Sequence, residues 1–499
     1  MALVTPCTRH LNRSQGLPHK VSAPTVFPTD WRNEAISDWA ARQYRTVSLP
    51  DARLDKRLLM IAQTLAAKPL DSINQACDNW AGAKGAYRFI ENNAVTADAL
   101  IAPITDAAAR DAAGRGAIIA VQDTTAVSFP RARAATGLGP INDAPQGRGM
   151  LVHPVLALRP DGAPLGLLDL QRWCRDPDPT QDTAAKARRS IEDKESGKWL
   201  RGIRAARQAL DDNVPDEQRP RLIHVCDREG DIHDVFELVA QDDDGAIIRS
   251  SQNRRVVTDD GRSALAYDAV AVAPLLGTEI LKVPRKHGQS RRQATVALRA
   301  CPLTLRPPTP HRAGAQPRPA IPLWLVEVKE LNASRGVKEP LRWLLWTTEP
   351  VTTRSVALEM VRLYKLRWKI EEFNLVLKSG CRVEDLQFQT AERLAKVLAL
   401  YAPVAVRILQ LRDWARIQPD APCTLVLTDE RWRALWTYIH SKRPAPKQTP
   451  PTIKQATLWI GRLGGHLGRK SDGMPGVRTL WRGWRDLDLL TTMFILGDP

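Results

Sequence analysis

Paired cysteines are missing from this chain. Its seven cysteines, Cys7, Cys77, Cys174, Cys226, Cys301, Cys381 and Cys423, stand singly, with no CxxC pair and no Cys/His cluster. That pattern excludes a disulfide framework and a structural zinc site and points to a reducing compartment. Long hydrophobic runs are missing too: no stretch approaches the roughly 20 uncharged apolar residues of a membrane helix. Residues 1–20 lack the continuous apolar core of a secretory signal. A cytoplasmic protein without membrane contact is expected. There is no internal repeat of solenoid period. Negative charge is in deficit, with 55 Asp and Glu against 72 Lys and Arg, a net charge of +17 and a pI near 9.8. Such a field attracts polyanions and tightens non-specific binding to nucleic acid, although a basic solvated surface has the same composition.

What is present is an ordinary globular composition, 43% hydrophobic and 25% charged, over 499 residues, enough for several domains. The first 35 residues are basic, Pro-rich and aperiodic, and read as a disordered leader. Helical periodicity starts near residue 38, with Leu54, Leu58, Leu59, Ile61 and Leu65 recurring and Asp51 as a plausible N-cap. This small helical domain, 36–97, carries Arg53, Lys56, Arg57, Lys84 and Arg88. Short apolar runs then alternate with helical stretches at 117–122, 150–158, 164–170, 200–210, 222–226 and 232–240, which predicts an α/β layer architecture. Between about 246 and 346 the composition shifts to Val, Thr, Arg and Pro, read as a β-rich insertion into a catalytic domain spanning 98–415. Helical periodicity returns from 356, and 416–499 reads as a helical C-terminal domain with a basic Pro/Lys hinge at 441–447.

Three acids stand out. Asp123 closes the run Ala117-Ile-Ile-Ala-Val-Gln122, and Asp227 closes Leu222-Ile-His-Val-Cys226. Carboxylates at the C-terminal ends of buried strands project into the crevice where open α/β sheets bind ligands, and they escape the desolvation cost of the core. Taken alone, each aspartate reads more readily as a turn residue or helix cap, and Glu229 and Asp231 compete with Asp227. The segment Tyr364-Lys-Leu-Arg-Trp-Lys-Ile-Glu371 is more specific. On an α-helix, at roughly 100° per residue, Tyr364, Arg367, Glu371 and Lys378 share a stripe about 60° wide. Leu363, Leu366, Ile370, Phe373 and Leu377 form a second stripe about 110° away. Glu372 is turned about 100° from Glu371, so Glu371 is the better ligand candidate. An Arg367–Glu371 surface ion pair accounts for part of the stripe, but not for Tyr364, Trp368 and Lys378 on the same edge. Aromatics interleaved with cations suit stacking on bases and clamping of phosphates.

Tyr364-x2-Arg367-x3-Glu371-x6-Lys378 is the Y-R-E-K pattern by which this chain resembles the IS4-family DDE transposases, the Tn5-like members most closely. Gly85-Ala-Tyr-Arg-Phe-Ile90, Asp123-Thr-Thr125, Asp193-Lys-Glu-Ser-Gly-Lys-Trp199, Cys226-Asp-Arg-Glu229, Trp343-Leu-Leu345, Ala405-Val-Arg-Ile-Leu-Gln-Leu411, Arg462-Leu-Gly-Gly465 and Trp481-Arg-Gly-Trp484 match in the same order. The resemblance implies an α/β protein: an RNase H-like mixed-sheet catalytic core with a β-rich insertion, flanked by a helical N-terminal DNA-binding domain and a helical C-terminal dimerisation domain. It implies Asp123, Asp227 and Glu371 as the metal-binding triad. Trp343 would take a flipped base's place, unless it is a buried strand tryptophan, and Arg249 would be a strand-end DNA contact. Tyr364, Arg367, Trp368 and Lys378 would face DNA. By position Arg53, Arg57, Tyr87 and Arg88 are end-binding or structural, with Tyr87 and Phe89 equally suited to the core. Where Tn5-like members carry a second lysine three residues before the signature one, this chain has Leu375, and the leader before Asp38 has no counterpart.

Three acids without histidine or cysteine ligands suit two Mg²⁺ ions, with Mn²⁺ able to substitute. The expected activity is cut-and-paste transposition: cleavage of transposon ends by metal-dependent phosphoryl transfer, a hairpin intermediate, and joining of 3′ ends to target DNA. The expected partners are double-stranded DNA, as end inverted repeats and as target, and a second copy of the chain in the DNA complex. The expected place is the bacterial cytoplasm, on the nucleoid when DNA is bound. A metal-dependent nuclease without strand transfer would use the same triad, and a catalytically inactive or domesticated DNA-binding relative is the non-enzymatic alternative.

Overall fold

A computed structural model describes residues 36–69, 71–77, 79–132, 134–141, 147–176, 189–283, 292–308, 318–333, 337, 339–440, 449–469 and 472–497. The expected leader, 1–35, and the 441–447 hinge lie outside the described residues. The strands are β1 (Ala117–Gln122), β2 (Thr125–Ser128), β3 (Gly139–Pro140), β4 (Arg148–Leu158), β5 (Pro164–Trp173), β6 (Arg221–Cys226) and β7 (Gly245–Arg249). They continue as β8 (Arg255–Thr258), β9 (Ser263–Leu265), β10 (Leu275–Val283), β11 (Arg292–Leu305), β12 (Ile321–Glu330) and β13 (Arg342–Thr347). The helices before the insertion are α1 (Ile36–Gln43), α2 (Ala52–Ala67), α3 (Ile73–Ala76), α4 (Trp80–Glu91), α5 (Ala97–Ala112), α6 (Lys198–Asn213) and α7 (His233–Gln241). Then come α8 (Ala266–Ala271), α9 (Arg354–Lys365), α10 (Trp368–Leu375), α11 (Ala391–Ile417), α12 (Asp429–Ile439), α13 (Ile453–Leu463) and α14 (Val477–Leu496).

All the described strands join one mixed sheet. β1 is antiparallel to β4 and β4 to β5, whereas on its other side β1 is parallel to β6 and β6 to β7. The order β5-β4-β1-β6-β7 with these directions is the RNase H-like mixed sheet expected from the sequence. β7 pairs antiparallel with β13, and β12, β11, β8 and β9 follow. The β-rich segment is thus inserted in the chain but extends the central sheet instead of standing apart from it.

Strands β1 and β6 are apolar at successive positions because both their faces are covered. Ile119, Val121, Ile223, Val225 and Ile247 pack in one core with Met360 and Leu363 of α9, Ile370 and Phe373 of α10, and much of α11. Ile118, Ala120 and Leu222 face the opposite layer with Ala206 and Leu210 of α6, and Ala246 and Ile248 meet Val235 and Phe236 of α7. Each fully buried Val, Leu or Ile here contributes roughly 1.5–3 kcal/mol of burial free energy.

α11 runs through the middle of the molecule. It is long and apolar enough to cross a membrane by composition, but 94% of its apolar stretch is buried inside the protein, as for a helix packed on every side. Lys396 interrupts it and donates from Nζ to the carbonyls of Ile90, at 3.2 Å, and Asn92, at 3.0 Å. α11 thereby grips the C-terminal end of α4. The helix also passes unbroken through residue 415, where a domain edge was expected. In the C-terminal region α13 and α14 approach so closely that a Cβ on Gly483 would lie 1.7 Å from the Ile460 carbonyl oxygen. One on Gly464 would lie 1.8 Å from the Thr479 carbonyl oxygen. The Arg462–Gly465 and Trp481–Trp484 motifs are therefore the two sides of a helix crossing that only glycine permits.

Candidate active site

Asp123 follows β1 and Asp227 follows β6. Val121 lies opposite Val225 in the parallel pair, so the two acids leave the sheet side by side. Side chains alternate along a strand, and Asp123, Asp227 and Arg249 continue the face of Val121, Val225 and Ile247, which α9 and α10 cover. Both acids also make cap-like bonds. Asp123 Oδ1 accepts from the Thr124 amide at 2.7 Å, and Asp227 Oδ1 from the Glu229 amide at 2.8 Å. The competing acids are engaged elsewhere: Asp231 is buried against Arg254 and the Ser251 amide, and Glu229 pairs with Lys198 at 3.0 Å.

The helical segment differs from the single α-helix that the 364–378 stripe assumed. α9 ends at Lys365, Leu366 and Arg367 form a tight turn with i to i+3 hydrogen bonds, α10 starts at Trp368, and Val376–Gly380 is a π-helical turn. No proline or glycine marks the break within 364–375, so the sequence carried no signal for it. Arg367 and Glu371 still share an edge. The Arg367 Nη1 group lies 2.7 Å from Asp123 Oδ2 and 3.4 Å from Glu371 Oε1, bridging the two acids.

Charge in this cluster is unbalanced. Burial, reinforced by the negative charge of Asp227, pushes the Asp123 carboxyl up to about 7 despite the adjacent guanidinium, and Glu371 adds to the shift. Burial likewise raises Asp227, with Glu229 adding to it. Burial opposes the Arg367 charge, but Asp123, Tyr364, Glu371 and Asp227 together outweigh it and raise its pKa. Among the described residues no three His, Cys, Asp or Glu side chains are gathered tightly enough to enclose an ion, since Arg367 stands between Asp123 and Glu371. The donor chemistry nevertheless fits a hard divalent cation: three carboxylates, partly desolvated, with one cation among them.

The flanking residues fall into two groups. Trp343, half-buried on β13, stacks edge-on against Tyr364 with ring centroids 5.7 Å apart, and the positive charge of Arg249 lies near the Tyr364 hydroxyl. Tyr364 is only 6% exposed, so this pair walls the site more than it projects from it. Trp368 is 62% exposed beside it. Lys378 donates from Nζ to the Ala126 carbonyl at 2.7 Å, tying the π turn to the strand that follows Asp123.

The N-terminal candidates lie on the separate α2–α4 layer and are not brought into the acid cluster. Arg53 is exposed and paired with Asp51, the N-cap of α2. Arg57 lies across α4 where Gly85 leaves room for its guanidinium. Tyr87 packs against Phe388 and Phe89 is buried, which fits the structural alternative for both. Arg88 is exposed on α4. Trp80, 76% exposed, and Lys84 are on the same face, four residues apart in turn. Trp80 escaped the sequence reading, although that spacing was a usable signal.

The RNase H-like sheet thus carries Asp123 and Asp227 just past the ends of its first and fourth core strands. Compared with known families, residues 36–95 match the family described as Transposase DNA-binding, and residues 403–494 match Transposase Tn5 dimerisation domain. These two matches lie at opposite ends of the chain and support its likeness to Tn5-like transposases. Among solved structures, a cryo-EM structure of the piggyBac transposase synaptic complex with hairpin DNA is similar at 8% identity and a TM-score of 0.32, covering 90% of this chain and 85% of that one. A likeness that low adds nothing to the argument.

Proposed function

We propose that the chain is a cut-and-paste DNA transposase whose cleavage and joining chemistry is carried by Asp123, Asp227 and Glu371. The observation that supports this most is the meeting of the two strand-end aspartates with the Arg367–Glu371 edge of α10. Asp123, Asp227 and Glu371 would hold two Mg²⁺ ions, or Mn²⁺ in their place, and the chemistry supplied there is activation of the attacking oxygen and stabilisation of the leaving oxygen. Arg367 orients Asp123 and Glu371 and offers charge to a phosphate. Arg249 and Trp368 line the approach for the DNA strand. Trp343, backed by Tyr364, offers an aromatic face to an unstacked end, which suits a hairpin intermediate. The α4 face with Trp80, Lys84 and Arg88, together with Arg53, would engage the transposon end, and α12–α14 would join two copies.

Asp123→Ala, Asp227→Ala and Glu371→Ala should each lower Mg²⁺-dependent cleavage of the element's own ends by more than about a thousandfold, with end binding retained. Normal cleavage by the Glu371→Ala protein would sink the assignment. A joined product with plasmid target separates the transposase from a nuclease. Trp343→Ala should slow hairpin formation more than first-strand nicking, and equal slowing of both would leave Trp343 a packing residue.

A further inference from the structure

We infer that a buried charge network on the far side of α10, made by Lys369 and Glu372 with Arg412 and Asp413 of α11, positions Glu371. The inference rests on the catalytic reading proposed above. α10 has eight residues, between a tight turn and a π turn, and a helix that short has little stability of its own. Ile370 and Phe373 anchor its apolar side, but non-directional contacts leave it free to slide or rotate slightly.

The network removes that freedom. Lys369 Nζ lies 2.8 and 2.7 Å from the two Asp413 oxygens, and Arg412 forks onto Glu372 at 2.7 and 2.6 Å. Cross contacts close the ring, with Lys369 3.6 Å from Glu372 and Arg412 3.5 Å from Asp413. Lys369 is 8% exposed and Asp413 1%. These four groups sum to no net charge, and a buried pair of this kind is commonly no more stable than an apolar pair of the same volume. What it adds is direction: the bonds flank Glu371 in the chain, at 369 and 372, and fix the turn that carries it. Asp413 and Arg412 also lie inside the 403–494 segment matched to the dimerisation family. The anchor of the catalytic helix therefore belongs to the region that joins two copies.

The test uses the full chain with its own transposon ends. Lys369→Met combined with Asp413→Leu replaces one pair by apolar groups, and Glu372→Gln combined with Arg412→Gln replaces the other by neutral hydrogen-bonding groups of similar shape. Both proteins should keep their melting temperature and end binding. Both should need about tenfold more Mg²⁺ for half-maximal cleavage, and calorimetry should show Mg²⁺ binding weakened by a similar factor. Asp413→Glu, which keeps the pair, should leave the Mg²⁺ requirement near that of the parent. An unchanged Mg²⁺ requirement in whichever double variant folds, alongside an inactive Glu371→Ala protein, overturns the positioning role alone. An active Glu371→Ala protein overturns the catalytic reading beneath it.

Discussion

The acid cluster and the N-terminal helical module both depend on charge, but they hold it differently. At the cluster the charges are partly desolvated and locked: Arg367 is 16% exposed at its side chain and bridges Asp123, also 16% exposed, to Glu371. On α2 and α4 the cations stand in water, with the Arg53 side chain 90% exposed and Lys84 and Arg88 on the open face of α4. Screened surface charges add a smooth, salt-dependent attraction to a polyanion. Desolvated charges are screened far less, and misplacing one is costly. The module suits affinity; the cluster suits geometry.

The largest test of that contrast is Arg367→Met. Removing a partly buried partner leaves Asp123 and Glu371 facing each other, and the loss should reach at most about 3 kcal/mol in stability without divalent ions. Much of it should return when Mg²⁺ is added, as read by urea denaturation with and without the ion. A loss indifferent to Mg²⁺ would mean that Arg367 acts as packing.

A second test uses His153, buried behind Asp123 on β4. Its ring contacts Thr124 Oγ1 at 2.9 Å and Gln122 Oε1 at 3.2 Å. Burial, with Lys198 and Arg201 nearby, depresses it from 6.5 to about 3. The unfolded chain therefore takes up a proton that the folded one refuses. Stability held above pH 6.5 should fall as the pH drops from there toward 3, by as much as about 4 kcal/mol. His153→Gln should flatten that slope, and an unaltered slope would refute it.

The smallest effects belong to the module. Lys84→Ala and Arg88→Ala should each weaken end binding modestly and reduce its salt slope by about one unit, with cleavage of pre-bound ends unchanged. If either altered the Mg²⁺ requirement instead, the division between the two regions would fail.

The central strands were legible because parallel strands covered on both faces must be apolar at successive positions, and β1 and β6 fall on the two runs that led to Asp123 and Asp227. The cap of α2 by Asp51 was legible because capping is local chemistry. The break between α9 and α10 was not, since Leu366 and Arg367 are ordinary helix formers and only packing against the sheet decides their conformation. Nor was the continuation of the sheet from β7 into β13, which pairs Arg249 with Leu345 across the whole insertion. The stripe of 364–378 named useful residues by an approximate route, because the π turn rotates Lys378 onto the Ala126 carbonyl.

By itself the sequence determined the types of element, the two strand-end acids and the Arg367–Glu371 edge, since period, burial and spacing are properties of short segments. The tertiary structure alone decided that β1 and β6 lie side by side and that Arg367 reaches Asp123. It also decided that Lys369 and Glu372 are answered by Arg412 and Asp413. Those pairings join residues about forty to more than two hundred positions apart, and such contacts are chosen by how whole layers pack, which no local pattern encodes.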